Sequence, residues 1–89
     1  MIEKNLEIIN KLGLHARAAA LLVQKASSFD SEVFIEFNGQ EVNAKSILGV
    51  MMLAVAKGDV MMVRVEGGDE IEAYEAIEKL IHDRFGEGE

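Results

Sequence analysis

The stretch Leu12-Gly13-Leu14-His15-Ala16-Arg17-Ala18-Ala19-Ala20 marks the place where the chain changes from one kind of secondary structure to another. Before it, from Ile2 to Ile8, apolar and polar residues alternate with a period of two, which is typical of a half-buried strand. After it the apolar residues follow a helical period; they are Ala19, Leu22, Val23 and Ala26. The stretch therefore predicts a junction between a strand and a helix, with His15 just before the first helical turn.

The position of His15 favours phosphate chemistry. The first N–H groups of an α-helix have no partner inside the helix, and the helix start carries roughly half a positive charge. Such a place suits a bound or covalently attached phosphate, and Arg17 is near enough in sequence to add a charge-assisted donor. These residues alone leave two interpretations open: a histidine that becomes phosphorylated, or a polar residue that merely starts a helix.

The middle of the chain predicts a hairpin and a short helix. Val33, Ile35 and Phe37 alternate with polar residues, and Asn38-Gly39 favours a type I′ turn into a short strand over Gln40 to Asn43. Ser46 then has the character of an N-cap for a short apolar helix that starts at Ile47. A buried strand is the alternative for that segment.

The last third predicts one strand and one helix. Val60 to Glu66 is rich in β-branched residues, and Gly67-Gly68 ends that strand. Asp69 is expected to cap the final helix, and the tail Gly86–Glu89 is expected to fray. The expected apolar face of this helix is Ile71, Tyr74, Ile77, Ile81 and Phe85.

The resulting order is βαββαβα in a single domain over residues 1–89. Hairpins favour antiparallel pairing, and helices with one apolar stripe must cover a sheet face. We therefore expect an α/β (α+β) fold, an open-faced sandwich in which a four-stranded antiparallel sheet carries three helices on one face.

Composition excludes several classes of function. The chain has no cysteine, and its two histidines, His15 and His82, form no metal-ligand spacing, so no metal site is expected and His82 is read as a surface residue. The net charge of −7 disfavours nucleic-acid binding. The longest apolar run is far shorter than the about 20 residues that span a bilayer. Without a secretory signal near Met1, we expect a cytoplasmic protein that does not insert into membranes.

Two motifs carry a resemblance to a known family. Gly13-Leu14-His15-Ala16-Arg17-Ala18-Ala19 and Asn43-Ala44-Lys45-Ser46-Ile47-Leu48-Gly49-Val50-Met51 resemble the histidine and serine sites of the histidine-containing phosphocarrier (HPr) family of the bacterial phosphotransferase system. The resemblance covers essentially the whole chain. It implies that His15 accepts a phosphoryl group on Nδ1 from enzyme I, itself phosphorylated from phosphoenolpyruvate, and passes it to an enzyme IIA. Such a protein is a relay without a cofactor, not a stand-alone catalyst.

The resemblance also assigns the supporting residues. The backbone N–H groups of Ala16 and Arg17, with the Arg17 guanidinium, would stabilise the phosphoryl oxygens during transfer through a loose transition state. The family commonly has proline where this chain has Ala18. Alanine is a strong helix former, so helix initiation is expected to survive the difference.

Regulation and docking follow from the second motif. Ser46 resembles the serine that HPr kinase/phosphorylase modifies, while its capping role needs no kinase. The residues expected to form a docking patch for partner proteins on a monomeric carrier are Ala20, Ile47, Leu48 and Met51. Two alternatives to a carrier for sugar uptake stay open. One is a carrier of the nitrogen-related phosphotransferase branch, and the other is a regulatory binding module that never carries phosphate. His15 followed by Arg17 at a helix start favours a carrier, because a passive module needs neither residue.

Overall fold

The computed structural model describes residues 1–88 and contains four strands and three helices in the expected order. The helix α2 is the short helix of the middle segment, and a short turn, Arg84–Gly86, follows α3. The bounds are β1 Ile2–Glu7, α1 Ala16–Ser27, β2 Glu32–Phe37, β3 Gln40–Asn43, α2 Ile47–Met52, β4 Val60–Glu66 and α3 Glu70–His82. The βαββαβα order is confirmed, and α2 is a helix rather than a buried strand.

The four strands form one antiparallel sheet in the order β1-β4-β2-β3. Asn38 and Gly39 both have positive φ angles, 53° and 78°, as the type I′ hairpin requires. Strand residues that point to the helices are buried, among them Val33, Ile35 and Val63, whereas their neighbours on the other face are not. The alternation in sequence therefore sets which face of the sheet the helices cover.

Asp69 occupies the N-cap position of α3, but its carboxylate does not cap that helix, so the expected capping role is wrong. The carboxylate instead accepts hydrogen bonds from the backbone N–H groups of Asp30 and Ser31, each at 2.9 Å, and from the Ser31 hydroxyl. These donors, the Ser31 hydroxyl foremost, lower the pKa of Asp69 because they stabilise its charged form. Asp69 thus fastens the start of α3 to the loop before β2.

Two residues expected on the apolar face of α3 lie elsewhere. Ile71 is 59% exposed, and the buried residue in that turn is Ala73. Phe85 is buried, yet it belongs to the turn after α3 rather than to the helix. The expected positions Tyr74 and Ile77 are buried as the helical period predicts.

The loop after α2 supports the strand-to-helix junction. The carbonyl of Val55, a buried residue of this loop, accepts the N–H of Leu14 at 2.9 Å. Just before it, the exposed Ala54 has a φ of 52°, a left-handed conformation that crowds the Cβ of an L-residue. The loop conformation that places the Val55 carbonyl therefore includes a strained backbone at Ala54.

Replacing Ala54 with glycine should relieve this strain. We expect Ala54→Gly to raise the free energy of unfolding in urea by about 1 kcal/mol, because glycine adopts positive φ without a Cβ clash. Ala56→Gly is the control: Ala56 is exposed in the same loop without a positive φ, so glycine there adds only freedom to the unfolded chain and lowers stability. Equal changes in the two variants would contradict the interpretation.

Candidate functional site

The backbone before α1 holds His15 at the start of the helix. Gly13 has a φ of 67°, and a Cβ on it would lie 2.7 Å from the Val55 carbonyl oxygen, so only glycine fits there. Leu14 follows, buried and hydrogen-bonded to the same carbonyl. His15 is then extended, with φ −73° and ψ 177°, at the N-cap position of α1. The predicted strand-to-helix junction is therefore confirmed, and its geometry is set by Gly13.

The first turn of α1 offers backbone donors next to His15. The first helical hydrogen bond runs from the Ala19 N–H to the His15 carbonyl at 2.8 Å. The N–H groups of Ala16, Arg17 and Ala18 therefore precede the helical ladder and remain available to an anion. The helix starts at Ala16 with Ala18 buried in its first turn, so proline is not needed at that position for initiation.

The imidazole of His15 is partly open to solvent and makes one hydrogen bond. Its Nε2 lies 2.6 Å from Oε2 of Glu87, with 27% of the histidine side chain and 15% of the glutamate side chain exposed. Within residues 1–88, Nδ1 of His15 has no hydrogen-bond partner. One ring nitrogen is therefore engaged and the other is free.

Glu87 is a site residue that the sequence did not reveal, and the expectation that the tail frays is wrong at this position. Besides His15, the carboxylate accepts from Nδ2 of Asn10, at 3.2 and 3.3 Å to its two oxygens. The His15 contact, together with the Asn10 donor and the nearby positive charge of Arg17, lowers the pKa of Glu87 despite partial desolvation. The contact joins residues 72 positions apart, and no local pattern signals such a pairing.

Arg17 lies beside His15 but is already engaged. Its Nη1 donates to the backbone carbonyl of Phe85 at 3.3 Å, near the long limit for a hydrogen bond. The side chain is exposed on the surface. Arg17 therefore contacts the turn after α3, and His15 contacts Glu87, the residue that follows this turn.

Ser46 caps α2 as the sequence predicts. Its Oγ accepts the N–H of Gly49 at 3.2 Å, and the residue is exposed. This bond satisfies one of the donors at the helix start. The hydroxyl is therefore both a cap and accessible at the surface.

Three of the four residues expected in the docking patch are exposed on α2, and the fourth, Ala20, is half-buried on α1, which packs against α2. Its apolar residues are Ile47, Leu48 and Met51, with 38%, 73% and 44% of their surfaces exposed. Met52 and Leu12, 70% and 64% exposed, are further open apolar side chains that the sequence did not single out. Apolar surface of this kind is typical of partner binding.

Metal binding and membrane insertion are two other possibilities for the part of the chain that the structure describes. Among residues 1–88, no three His, Cys, Asp or Glu side chains converge as a metal-binding group. His82 is exposed on α3, where the sequence places it on the surface. None of the helices in this range has the length and apolar character needed to cross a membrane.

Known proteins similar to this chain include phosphocarrier proteins HPr and an HPr-like protein, Crh. Residues 2–83 match the family described as "PTS HPr component phosphorylation site". The phosphocarrier protein HPr of Neisseria meningitidis is 54% identical over the full length of both chains. HPr of Cupriavidus necator is 53% identical, again over the full length of both.

Solved structures agree with the sequence relatives. A crystal structure of HPr-C-His from Thermoanaerobacter tengcongensis superposes with a TM-score of 0.96 at 50% identity, over all of both chains. HPr from Bacillus anthracis gives a TM-score of 0.86 at 44% identity, over 90% of this chain and 95% of the other. The chain therefore belongs to the HPr family, the phosphocarriers of the phosphotransferase system.

Proposed function

We propose that His15 carries the phosphoryl group, which it receives from phosphorylated enzyme I and passes to an enzyme IIA. The observation that supports this most directly is the free Nδ1 of a partly exposed imidazole at the start of α1. The same place offers three backbone N–H groups outside the helical ladder, which suit the phosphoryl oxygens. A cytoplasmic, monomeric carrier stays the expectation from sequence.

The transfer itself needs little more than positioning. The Nδ1 lone pair of His15 forms the new N–P bond while the bond between phosphorus and the donor atom of enzyme I breaks, and the donor keeps that electron pair. The N–H groups of Ala16 and Arg17 and the Arg17 guanidinium stabilise the equatorial oxygens in a loose transition state. The reverse arrangement, with His15 as leaving group, delivers the phosphoryl group to the enzyme IIA.

Arg17 must release the Phe85 carbonyl before its guanidinium can bind the phosphoryl group. Its 3.3 Å bond to the Phe85 carbonyl is long, and a phosphoryl oxygen is a better acceptor because it is charged. Arg17 therefore moves from a neutral acceptor to an ionised one when the phosphoryl group arrives. The length of the present bond to Phe85 supports the assignment of Arg17 as the electrostatic stabiliser.

The exposed surface of α2 is the proposed docking patch for both partners. Leu48 contributes the most exposed side chain of the patch, and Ile47, Met51 and Ala20 complete it. Ser46 stands at the start of the same helix. A phosphate on Ser46 would bring about −1.5 to −2 charges to the docking surface, so we propose that HPr kinase/phosphorylase acts on it and weakens docking to enzyme I.

Phosphoryl uptake from phosphoenolpyruvate with purified enzyme I tests the carrier role. His15→Ala should lose all acid-labile incorporation because it removes the acceptor nitrogen. Arg17→Ala should slow uptake by about 100-fold, the cost of removing one donor from a developing negative charge. His82→Ala is the matched control, since this exposed histidine has no place in the site, and it should match wild type. Incorporation that persists in His15→Ala, or none into the folded wild type, would contradict the proposal.

Binding to enzyme I tests the docking patch. We expect Leu48→Glu to raise the Kd about tenfold, because it replaces an apolar contact with a charge. Ser46→Asp should also raise the Kd, and aspartate still caps α2, so the helix is retained. Ile71→Glu introduces the same charge at another exposed apolar position, on α3, and should leave the Kd unchanged. Equal weakening by Leu48→Glu and Ile71→Glu would show a general charge effect instead.

A further inference from the structure

The contact between Glu87 and His15 determines which ring nitrogen carries the proton. An ionised carboxylate only accepts hydrogen bonds, so the imidazole nitrogen 2.6 Å from Oε2 of Glu87 must donate. The proton of a neutral His15 then sits on Nε2. Nδ1 is left with its lone pair, without a partner in residues 1–88.

Asn10 holds the carboxylate in this orientation. The Asn10 side chain is fully buried, and its Nδ2 donates to both Glu87 oxygens and to the Gly13 carbonyl at 2.8 Å. One amide thus ties Glu87 to the same turn that fixes the backbone of His15. Asn10 therefore fixes the Glu87 carboxylate relative to the backbone that carries His15.

The backbone that delivers Glu87 is itself unusual. Arg84, Phe85 and Gly86 follow one another with φ angles of 56°, 54° and 78°, and the two non-glycine residues pay a steric cost in this left-handed region. Burial of the Phe85 side chain, 1% exposed, holds the turn in place. Strain retained next to a functional side chain is a recurrent feature of such sites.

We propose that Glu87 is a positioning residue for phosphoryl transfer: it keeps the proton on Nε2 of His15 and so presents Nδ1 as the acceptor. The inference rests on the proposed carrier role of His15. As the N–P bond forms at Nδ1, the Nε2 proton stays on the ring, which becomes cationic, and the carboxylate 2.6 Å away stabilises that charge. When the N–P bond breaks, the electron pair returns to Nδ1 and the ring is neutral again.

Nitrogen-15 NMR of the imidazole at a pH where His15 is neutral tests the first half of the proposal without any partner protein. Wild type should show the proton on Nε2. In Glu87→Gln, the amide can accept from Asn10 through its oxygen and donate its own N–H to Nε2, so the Nδ1–H fraction should rise at least twofold. Glu87→Ala removes the contact, and Glu75→Gln removes the same charge from an exposed position on α3 as the matched control. An unchanged tautomer ratio in Glu87→Gln would overturn the proposal.

Transfer kinetics from enzyme I test the second half. Glu87→Gln should lower the rate constant at saturation by about tenfold or more, as loss of an orienting partner of histidine does elsewhere, with KM unchanged. The rate constant of Glu87→Ala should lie between those of Glu87→Gln and wild type. A simple loss of structure would not produce this order. Equal or faster transfer in Glu87→Gln, despite a shifted tautomer, would overturn the positioning role alone. A wild type with the Nε2 proton but no uptake would overturn the carrier function instead, and the positioning role with it.

Discussion

The close approach of Gly13 to the Val55 carbonyl is the constraint on which the site depends. A side chain at position 13 would collide with that oxygen, and the positive φ there turns the chain from β1 into α1. Leu14 binds the same carbonyl through its N–H and is buried, so His15 has little freedom in its backbone. The backbone therefore holds His15 at the N-cap of α1, next to N–H groups that precede the helical ladder, and this is the preorganisation that phosphoryl transfer needs.

A carrier must accept the phosphoryl group and then release it, and the contacts around His15 suit both steps. The backbone donors of α1 are fixed, whereas Arg17 is held by a single long bond to the Phe85 carbonyl. The contact from Glu87 to Nε2 is short and supported by the buried Asn10. The α1 backbone and Glu87 thus fix the position of the His15 ring. The Arg17 side chain can change its partner when the phosphoryl group arrives or leaves.

Local patterns were sufficient for most of the fold. The periods of two and of 3.6 located the strands and helices, Asn38-Gly39 located the hairpin, and Ser46 was correctly identified as the cap of α2. The position of Asp69 in the sequence predicts a helix cap, and that prediction is wrong. The Asp69 carboxylate instead accepts hydrogen bonds from the Ser31 hydroxyl and from the backbone N–H groups of Asp30 and Ser31. The role of Glu87 depends on a turn with positive φ at two non-glycine residues, Arg84 and Phe85, a conformation that no sequence pattern indicates.

The position of the phosphoryl group on the ring tests the central claim most directly. Phosphorus-31 and nitrogen-15 NMR of the protein, phosphorylated with enzyme I and phosphoenolpyruvate, identifies both the nitrogen bonded to phosphorus and the nitrogen that carries the proton. We predict an N–P bond at Nδ1 of His15 and a proton on Nε2, facing Glu87. A phosphoryl group on Nε2, or on any residue other than His15, would contradict the claim.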